Sequence, residues 1–337
     1  MRFLSLLRLF RLSPGVFLFF IAPGVGALLS GFTPPNQFFN PLTLLFLCFL
    51  YGGGAIISRE LMLYWGKGWP TLLLLGAAFG VIYEGLLTKS LFDLRWPALG
   101  SLGVYGRLEG VNWVWSLQQT TFHAVFSFAI PILIVGLLFP KRRAERWAGP
   151  RSLLLLIILF VASAILGALF LSSYHPPLIL YVATLAVAAV LILLARYLPR
   201  SISVTKSTGV AEPLRFGLVG FLGTLTLFLI NWLLPTTLTP WWVAILLMLV
   251  LAIIVAGVTL LMSGNATAWT QRHQIALVSG ALAFFILLAP YTEIFQRQRD
   301  SSGLTFVALV TIGLLYLLTR RIRAREKRAV LQGGMVV

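Results

Sequence analysis

Residues 70–92 read PTLLLLGAAFGVIYEGLLTKSLF, an apolar stretch long enough to cross the roughly 30 Å hydrocarbon core of a bilayer as an α-helix. In that core the backbone polar groups are satisfied only within a helix or a closed barrel. Barrel strands alternate apolar and polar side chains over about 10 residues, and this stretch does not alternate. It therefore predicts a transmembrane helix.

Further apolar runs of this kind fill the 337 residues. They predict an all-α fold, a polytopic transmembrane helical bundle of about ten helices, at 15–32, 41–64, 70–92, 113–138, 152–172, 177–197, 215–234, 240–262, 273–290 and 303–321. Charged residues make up only 10% of the chain, against about 25% in soluble domains. We therefore expect a single integral membrane domain over 1–337, with polar-site helices in 1–140, apolar scaffold helices in 141–322 and a basic cytoplasmic tail in 323–337.

The basic residues, which give a net charge of +17, gather on one side of this arrangement. The opposite side holds only Lys89, Arg95, Arg107, Arg297 and Arg299. The positive-inside rule then predicts that both termini are cytoplasmic. We expect a multi-pass protein of the cell membrane, in the bacterial inner membrane, whose cytoplasmic face contacts anionic lipid headgroups. The glycosylation sequon at 265–267 would lie inside, unused.

The sequence lacks the motifs that mark several classes of enzyme and binding protein. It contains no P-loop, no dinucleotide-binding fingerprint and no CxxC or HExxH pair. The basic stretches lack interleaved aromatic residues, so nucleic acid is not an expected partner. Cys48 is the one cysteine and excludes an intrachain disulfide. We expect no cofactor and no metal, and any chemistry or transport falls to the membrane helices.

Glu84 is the sharpest candidate within a predicted span. It shares one face, at i+4 spacing, with Gly76, Gly80 and Thr88. Glycines on that face let a neighbouring helix approach closely, so the carboxylate is expected to face protein. Ionisable residues inside spans are candidates for function. The alternative is a carboxyl group that only bonds a neighbouring helix.

The fourth predicted helix carries a matching polar stripe, formed by Asn112, Ser116, Gln119, His123 and Ser127. A rise of 1.5 Å per residue places His123 about 15 Å deep and Glu84 about 12 Å deep, so we predict that the two side chains meet. Such a pair serves as a proton relay or as half of a metal site. It could equally be an interhelical hydrogen bond worth about 1 kcal/mol. A metal site needs a third ligand, which we do not find at this depth.

The second predicted helix contributes Tyr51, the glycine triplet at 52–54, and Arg59 next to Glu60. The triplet marks either a helix break, as in transporters, or a flat packing surface. Adjacent residues on a helix point different ways, so Arg59 is expected to reach the inner interface while Glu60 needs another partner or a proton. His175 and His273 are expected in short solvated loops. The candidates for a substrate or proton path are Glu84, His123, Gln119, Glu60, Arg59 and Asn112.

Residues 51–92, which begin YGGGAIISRE, and 111–131, VNWVWSLQQTTFHAVFSFAIP, resemble a group of uncharacterised bacterial multi-pass membrane proteins. A more remote resemblance is to the CAAX-protease-like and PrsW-like intramembrane protease superfamily. It rests on Glu84 followed by Lys89, and on His123 within TTFHAVFS. That superfamily carries a Glu-Glu motif, and Tyr83 stands here at the first Glu. The remote resemblance implies an intramembrane hydrolase, with possible counterparts only at Glu84 and His123.

Three functions follow from these patterns. The preferred one is a transporter or permease for a small molecule or proton, with a buried Glu–His site in helices 2–4. Ten helices with both ends inside is also the layout of drug/metabolite transporters. The alternatives are an intramembrane hydrolase built on the same helices, and a non-catalytic membrane subunit.

Overall fold

The computed structural model describes residues 13–201, 210–236, 238–263, 269–295 and 300–333. Several residues used for the topology prediction lie outside these ranges, namely Arg2, Arg8, Arg11, Lys206, Arg297 and Arg299, as does the sequon at 265–267. The side of the membrane on which either terminus lies stays a prediction.

The described residues confirm an all-α fold with eleven helices. These are α1 (Pro14–Leu29), α2 (Pro35–Phe38), α3 (Pro41–Tyr64), α4 (Trp69–Leu87), α5 (Trp113–Leu138), α6 (Pro150–Phe170), α7 (Leu178–Tyr197), α8 (Pro213–Leu233), α9 (Trp241–Ser263), α10 (Gln271–Phe295) and α11 (Leu304–Gly333). Within the described ranges, the β-structure is one antiparallel hairpin of two short strands, β1 (Arg107–Leu108) and β2 (Val111–Asn112).

Nine of the described helices, α3 to α11, are long and apolar enough to cross a membrane. The protein is therefore a multi-pass membrane protein. The remaining predicted span, the first one at 15–32, corresponds to α1, which is apolar but shorter. It ends before the predicted residue 32 because Gly31 adopts a left-handed backbone conformation (φ 75°), which commonly ends helices. The last helix runs beyond the predicted residue 321, into the basic tail.

Helix starts follow the sequence signals. Ser13 Oγ accepts a bond from Gly15 N at the start of α1, and Asn40 Oδ1 accepts from Leu42 N (3.0 Å) at the start of α3. Each of these caps is followed at once by a proline, whose missing N–H is not needed in the first turn. These caps fix where the chain enters both helices.

The chain divides into two compact units. Unit 1 comprises Met1–Ala27, Phe38–Ile202 and Ile230–Met248, and unit 2 comprises Leu28–Gln37, Ser203–Leu229 and Leu249–Val337. Within unit 1, the most apolar windows of α3, α4 and α5 are 56, 61 and 72% buried, whereas those of α6 and α7 are 11 and 17% buried. The helices that carry the polar candidates thus form the core of unit 1. The expectation of one membrane domain stays a prediction.

Unit 2 is held by close helix crossings. A Cβ on Gly280 of α10 would overlap the backbone of Gly217 in α8, so only glycine permits this approach. Phe228 stacks on Phe284 with ring centres 4.7 Å apart. The carboxylate of Glu293 accepts bonds from backbone N–H groups at the start of α11, as a capping side chain does.

The two remaining histidines differ in burial. His175 is exposed, between α6 and α7, as expected. The prediction for His273 is wrong, because it lies in the first turn of α10 and is only 9% exposed. Its ring packs against Phe216 and Trp269, and its Nδ1 accepts a bond from Thr270 N (3.1 Å). A capping contact and aromatic packing bury a residue that sequence position alone assigned to a loop.

The glycine triplet is a packing surface, and α3 continues through it. A Cβ on Gly52 would overlap the backbone of Phe19 in α1. A Cβ on Gly54 would lie 3.2 Å from Phe128 and 3.3 Å from Phe79. Three neighbouring elements therefore approach the backbone of α3 where it has no side chains, and the alternative of a helix break is wrong.

The segment between α4 and α5 is folded against helix ends. It contains a 3₁₀ turn (Gly100–Gly103) and the β1–β2 hairpin, with Leu99 and Leu102 buried. Arg107 Nη1 donates to the carbonyl of Phe92 (2.8 Å). The segment between α4 and α5 is thus packed rather than an extended loop.

Candidate functional site

Four helices, α1, α3, α4 and α5, widen into π-helical turns among the described residues. The segments are Gly24–Leu29 in α1, Cys48–Gly53 in α3, Tyr83–Leu87 in α4 and His123–Ala129 in α5. π-Helical turns are rare and are found frequently at functional sites.

These four segments meet. A Cβ on Gly26 would lie 2.7 Å from Ser127 Oγ and 2.9 Å from the Tyr51 ring. The Tyr51 and Tyr83 rings are 5.3 Å apart, and the Tyr83 and His123 rings are 5.2 Å apart. Sequence periodicity gave no sign of these turns, because a π-helical turn has no distinct residue pattern here.

Glu84 and His123 lie at the centre of this meeting point. His123 Nε2 is 3.0 Å from Glu84 Oε1, and the two residues are 1% and 6% exposed. The contact predicted from their similar depth is confirmed. It depends on glycines of α4, since a Cβ on Gly76 would lie 2.8 Å from Ala124 Cα and one on Gly80 3.0 Å from His123 Cβ.

The pair belongs to a chain of polar contacts. Glu84 Oε2 accepts bonds from Thr88 Oγ1 (3.0 Å) and from the Ser90 hydroxyl. Ser90 Oγ in turn accepts from the indole N–H of Trp115 (2.9 Å). Ser90 and Trp115 were not predicted as partners, because Ser90 follows the end of α4 and its contact with Trp115 joins residues 25 positions apart.

On the other side of the imidazole, His123 Nδ1 lies 2.9 Å from Ser127 Oγ. A hydroxyl both donates and accepts hydrogen bonds. A neutral imidazole can therefore donate from Nε2 to Glu84 while accepting from Ser127, and an imidazolium can donate to both. The site can hold or release a proton while both contacts persist.

Aromatic rings surround the imidazole. The ring centres nearest to that of His123 belong to Tyr83 (5.2 Å), Phe79 (5.3 Å), Phe122 (5.5 Å) and Tyr51 (5.8 Å). Aromatic faces within about 6 Å attract a cation. The imidazole of His123 thus lies between these aromatic rings and the side chain of Glu84.

Two other predicted candidates lie on or next to α5. Gln119 is buried one turn before His123. Asn112 caps α5, with its Oδ1 accepting from Trp115 N (2.9 Å) and its Nδ2 donating to the carbonyl of Leu102 (2.5 Å). The position of Asn112 is that of a helix cap. Gln118, which the sequence did not single out, has a buried Oε1 without a hydrogen-bond partner among the described residues.

The prediction that Arg59 and Glu60 point different ways is wrong. Arg59 Nη1 donates to Glu60 Oε1 (2.8 Å), and the residues are 2% and 1% exposed. Arg59 Nη2 donates to the carbonyls of Arg143 and Glu145 (2.8 Å each), in the loop after α5. The long guanidinium side chain bends towards these carbonyls and brings the two charges together.

Glu60 was expected to need a partner, and it has two: the Arg59 side chain and the loop after α5. Glu60 Oε1 also accepts from Trp147 N (2.8 Å), and Oε2 accepts from Arg146 Nε (3.3 Å). Arg59 and Glu60 thus form a second buried polar cluster with Trp147, and their contacts are with this loop and each other.

The described residues offer few ligands for a metal ion. They contain no group of three or more His, Cys, Asp or Glu side chains that could hold a metal ion. Lys89, the basic residue of the remote protease resemblance, is 1% exposed and donates to the carbonyl of Ser172 (2.9 Å). Burial lowers the pKa of Lys89.

Comparisons with known proteins give the family and nothing finer. The family model that matches residues 16–336 is described as an uncharacterized membrane protein family. No curated protein and no solved structure matches the chain. The resemblance to CAAX-protease-like and PrsW-like proteins receives no support from these findings. The chain belongs to this uncharacterized membrane protein family.

Proposed function

We propose that the protein is a transporter or permease of the bacterial inner membrane, with both termini in the cytoplasm, whose transport step uses the Glu84–His123 pair to exchange a proton. The observation that carries the proposal is the buried 3.0 Å contact between Glu84 Oε1 and His123 Nε2, at the point where four π-helical segments meet.

Helix packing alone does not require this arrangement. Polar side chains of any uncharged type can join two membrane helices at a gain of about 1 kcal/mol. An ionisable residue within a span costs more, and such residues commonly mark ion and proton paths. The His123 imidazole has Ser127 on one side and Glu84 on the other, which supports a group that changes its protonation state.

A transporter is favoured over a hydrolase by the ligands present. Metal-dependent hydrolysis needs at least three protein ligands in most sites, and the described part of the chain contains no such group. Proton exchange needs only the pair itself, with a carboxylate and an imidazole in direct contact.

The test is proton movement in reconstituted vesicles. Purified protein is placed in liposomes that contain a trapped pH indicator, and cationic, anionic and neutral solutes are added in turn. We expect at least one solute to drive proton movement with the wild-type protein. Glu84→Gln keeps the shape and much of the hydrogen bonding of the side chain, and we expect it to lower this movement at least tenfold.

The matched control is Glu109→Gln, which removes an exposed carboxylate and should leave proton movement unchanged. Thermal unfolding checks that Glu84→Gln is folded. Wild-type proton movement in a folded Glu84→Gln protein would contradict the proposal and favour the non-catalytic subunit. The absence of solute-driven proton movement in the wild type would contradict it as well.

A further inference from the structure

The geometry points to an organic cation, an amine or a quaternary ammonium ion, as the substrate class of the Glu84–His123 site. This inference rests on the proposed transport function and adds what is transported. It depends on the identity of the side chains around the pair.

The rings of Tyr51, Phe79, Tyr83 and Phe122 form an aromatic cage around the imidazole of His123. Their centres lie 5.2–5.8 Å from the imidazole centre. Tyr51, Phe79 and Tyr83 also contact one another, with centres 5.3–5.7 Å apart. Aromatic faces attract a cation within about 6 Å of the ring centre, and groups of aromatic rings recognise quaternary ammonium ligands in this way.

The polar groups at the cage select the same charge. Glu84 supplies a carboxylate 3.0 Å from the imidazole that the cage surrounds. The nearby hydroxyls of Thr88 and Ser90 already donate to this carboxylate. An anionic solute would be repelled by the carboxylate, and these two hydroxyls could not donate to it while they are bonded to Glu84. A cation would instead meet a carboxylate and aromatic rings.

An exchange of one cation for one proton follows. With His123 protonated, the imidazolium is the cation within the cage and Glu84 is its counter-ion. When an organic cation takes the place beside Glu84, His123 gives up its proton, so the sum of charges at the site is unchanged. The proton leaves in the direction opposite to the cation, which makes the transport an antiport.

Few groups other than the pair titrate at this site. Tyr51 on α3 and Tyr83 on α4 are the neighbouring phenols. Other elements contribute Gly26, Phe160, Thr184, Gly167 and Ser127, which do not titrate. Lys89 donates to the carbonyl of Ser172. The proton released in the exchange is therefore assigned to His123.

The cage has one partly exposed wall. Tyr51, Phe79 and Phe122 are at most 5% exposed, whereas Tyr83 is half-buried. The Tyr83 side is thus where a cation would enter. Tyr83 is also the position at which to test the cage with the least disturbance of the core.

The experiment uses full-length protein in liposomes with a trapped pH indicator. Tetramethylammonium, choline and benzyltrimethylammonium are added outside, and 3,3-dimethyl-1-butanol serves as the neutral analogue of choline. We expect the cations to raise the internal pH as protons leave, and the neutral analogue to have no effect. Calorimetric titration with the same cations at two pH values should show weaker binding at the lower pH, where protons compete.

Two substitutions at one position test the rings. Tyr83→Phe keeps the ring and should keep cation-driven proton release within about threefold of wild type. Tyr83→Leu removes the ring, and we expect release at a given cation concentration to fall at least tenfold. Tyr291→Leu, which removes an exposed tyrosine of unit 2, is the matched control and should behave as wild type.

The outcomes separate this inference from the transport proposal. If anionic or neutral solutes drive Glu84-dependent proton movement and the three cations give neither binding nor proton release, transport stands and the cation inference is overturned. If the cations work equally well with Tyr83→Leu, the aromatic cage is not the recognition element and the inference again fails. If no solute moves protons, the transport proposal itself fails.

Discussion

The guanidinium carbon of Arg59 lies 3.4 Å from the centre of the Trp147 indole ring, and the backbone N–H of Trp147 donates to the carboxylate of Glu60. The indole N–H donates to the carbonyl of Arg142 (2.8 Å), and the carbonyl of Trp147 accepts from Ser13 Oγ (2.8 Å). One tryptophan thus joins α3, the start of α1 and the loop after α5.

Removing Arg59 should destabilise the protein strongly. Arg59→Met leaves the buried carboxylate of Glu60 without its closest cation, and breaking a buried pair in this way costs about 3–5 kcal/mol. Arg59→Met/Glu60→Gln removes both charges and keeps an oxygen for Trp147 N, so it should recover more than half of the loss. Thermal unfolding in detergent micelles measures both effects.

The exposed pair formed by Arg142 Nε and Glu145 Oε2 (3.0 Å) is the control for that experiment. Exposed pairs are worth about 0–1 kcal/mol, so Arg142→Met should change the midpoint of thermal unfolding little. Arg59→Met with an equally small effect would show that the buried pair does not hold the loop to α3.

The glycines of α4 should be sensitive to a single methyl group. The Cβ of Gly76→Ala would lie 2.8 Å from Ala124 Cα, so α4 and α5 must separate, and overpacking of this kind costs about 1–3 kcal/mol. Gly257→Ala is the control, because its Cβ would meet nothing within 4 Å, and alanine favours a helix. Thermal unfolding should show a loss only for Gly76→Ala, and equal midpoints would contradict the close contact.

The sequence predicted the Glu84–His123 contact because two simple periodicities carry it. Glycines at i+4 spacing mark the face of α4 that another helix approaches, and the polar stripe marks the matching face of α5. Depth along each helix then sets the level at which the side chains meet. The glycine positions and the burial of both residues agree with that reasoning.

What the sequence did not predict depends on contacts between distant segments. Arg59 bends towards Glu60 because carbonyls of a loop 84 and 86 residues away accept its other N–H groups. His273 is buried by Phe216 and Trp269. The π-helical turns and the aromatic cage likewise arise from packing of α1, α3, α4 and α5, which no local pattern specifies.

Lys89 should make stability depend on alkaline pH. Burial lowers its pKa below the ordinary value of 10.5, so the unfolded chain binds more protons than the folded protein between the lowered pKa and 10.5. Stability therefore rises with pH through this window and is lost as pH falls through the lowered pKa. Lys89→Met removes the group, so the difference in unfolding midpoint between wild type and variant should shift in favour of the wild type as pH increases. A constant difference would contradict this assignment.

A double-mutant cycle tests the Glu84–His123 contact without reference to transport. Glu84→Leu leaves the buried imidazole without the carboxylate that it contacts, and His123→Leu leaves Oε1 of the buried Glu84 without its imidazole partner. Each single change therefore removes the contact and also leaves a polar group unpaired, at a cost of about 1–3 kcal/mol or more when the group is charged. The double variant leaves neither, so it should be less destabilised than the sum of the single variants, by about 0.5–3 kcal/mol. Glu84→Leu paired with Phe228→Leu in unit 2 is the control and should be additive. The free energies of unfolding come from denaturant titration in micelles, and additivity of Glu84→Leu with His123→Leu would mean that the 3.0 Å contact does not couple the two helices.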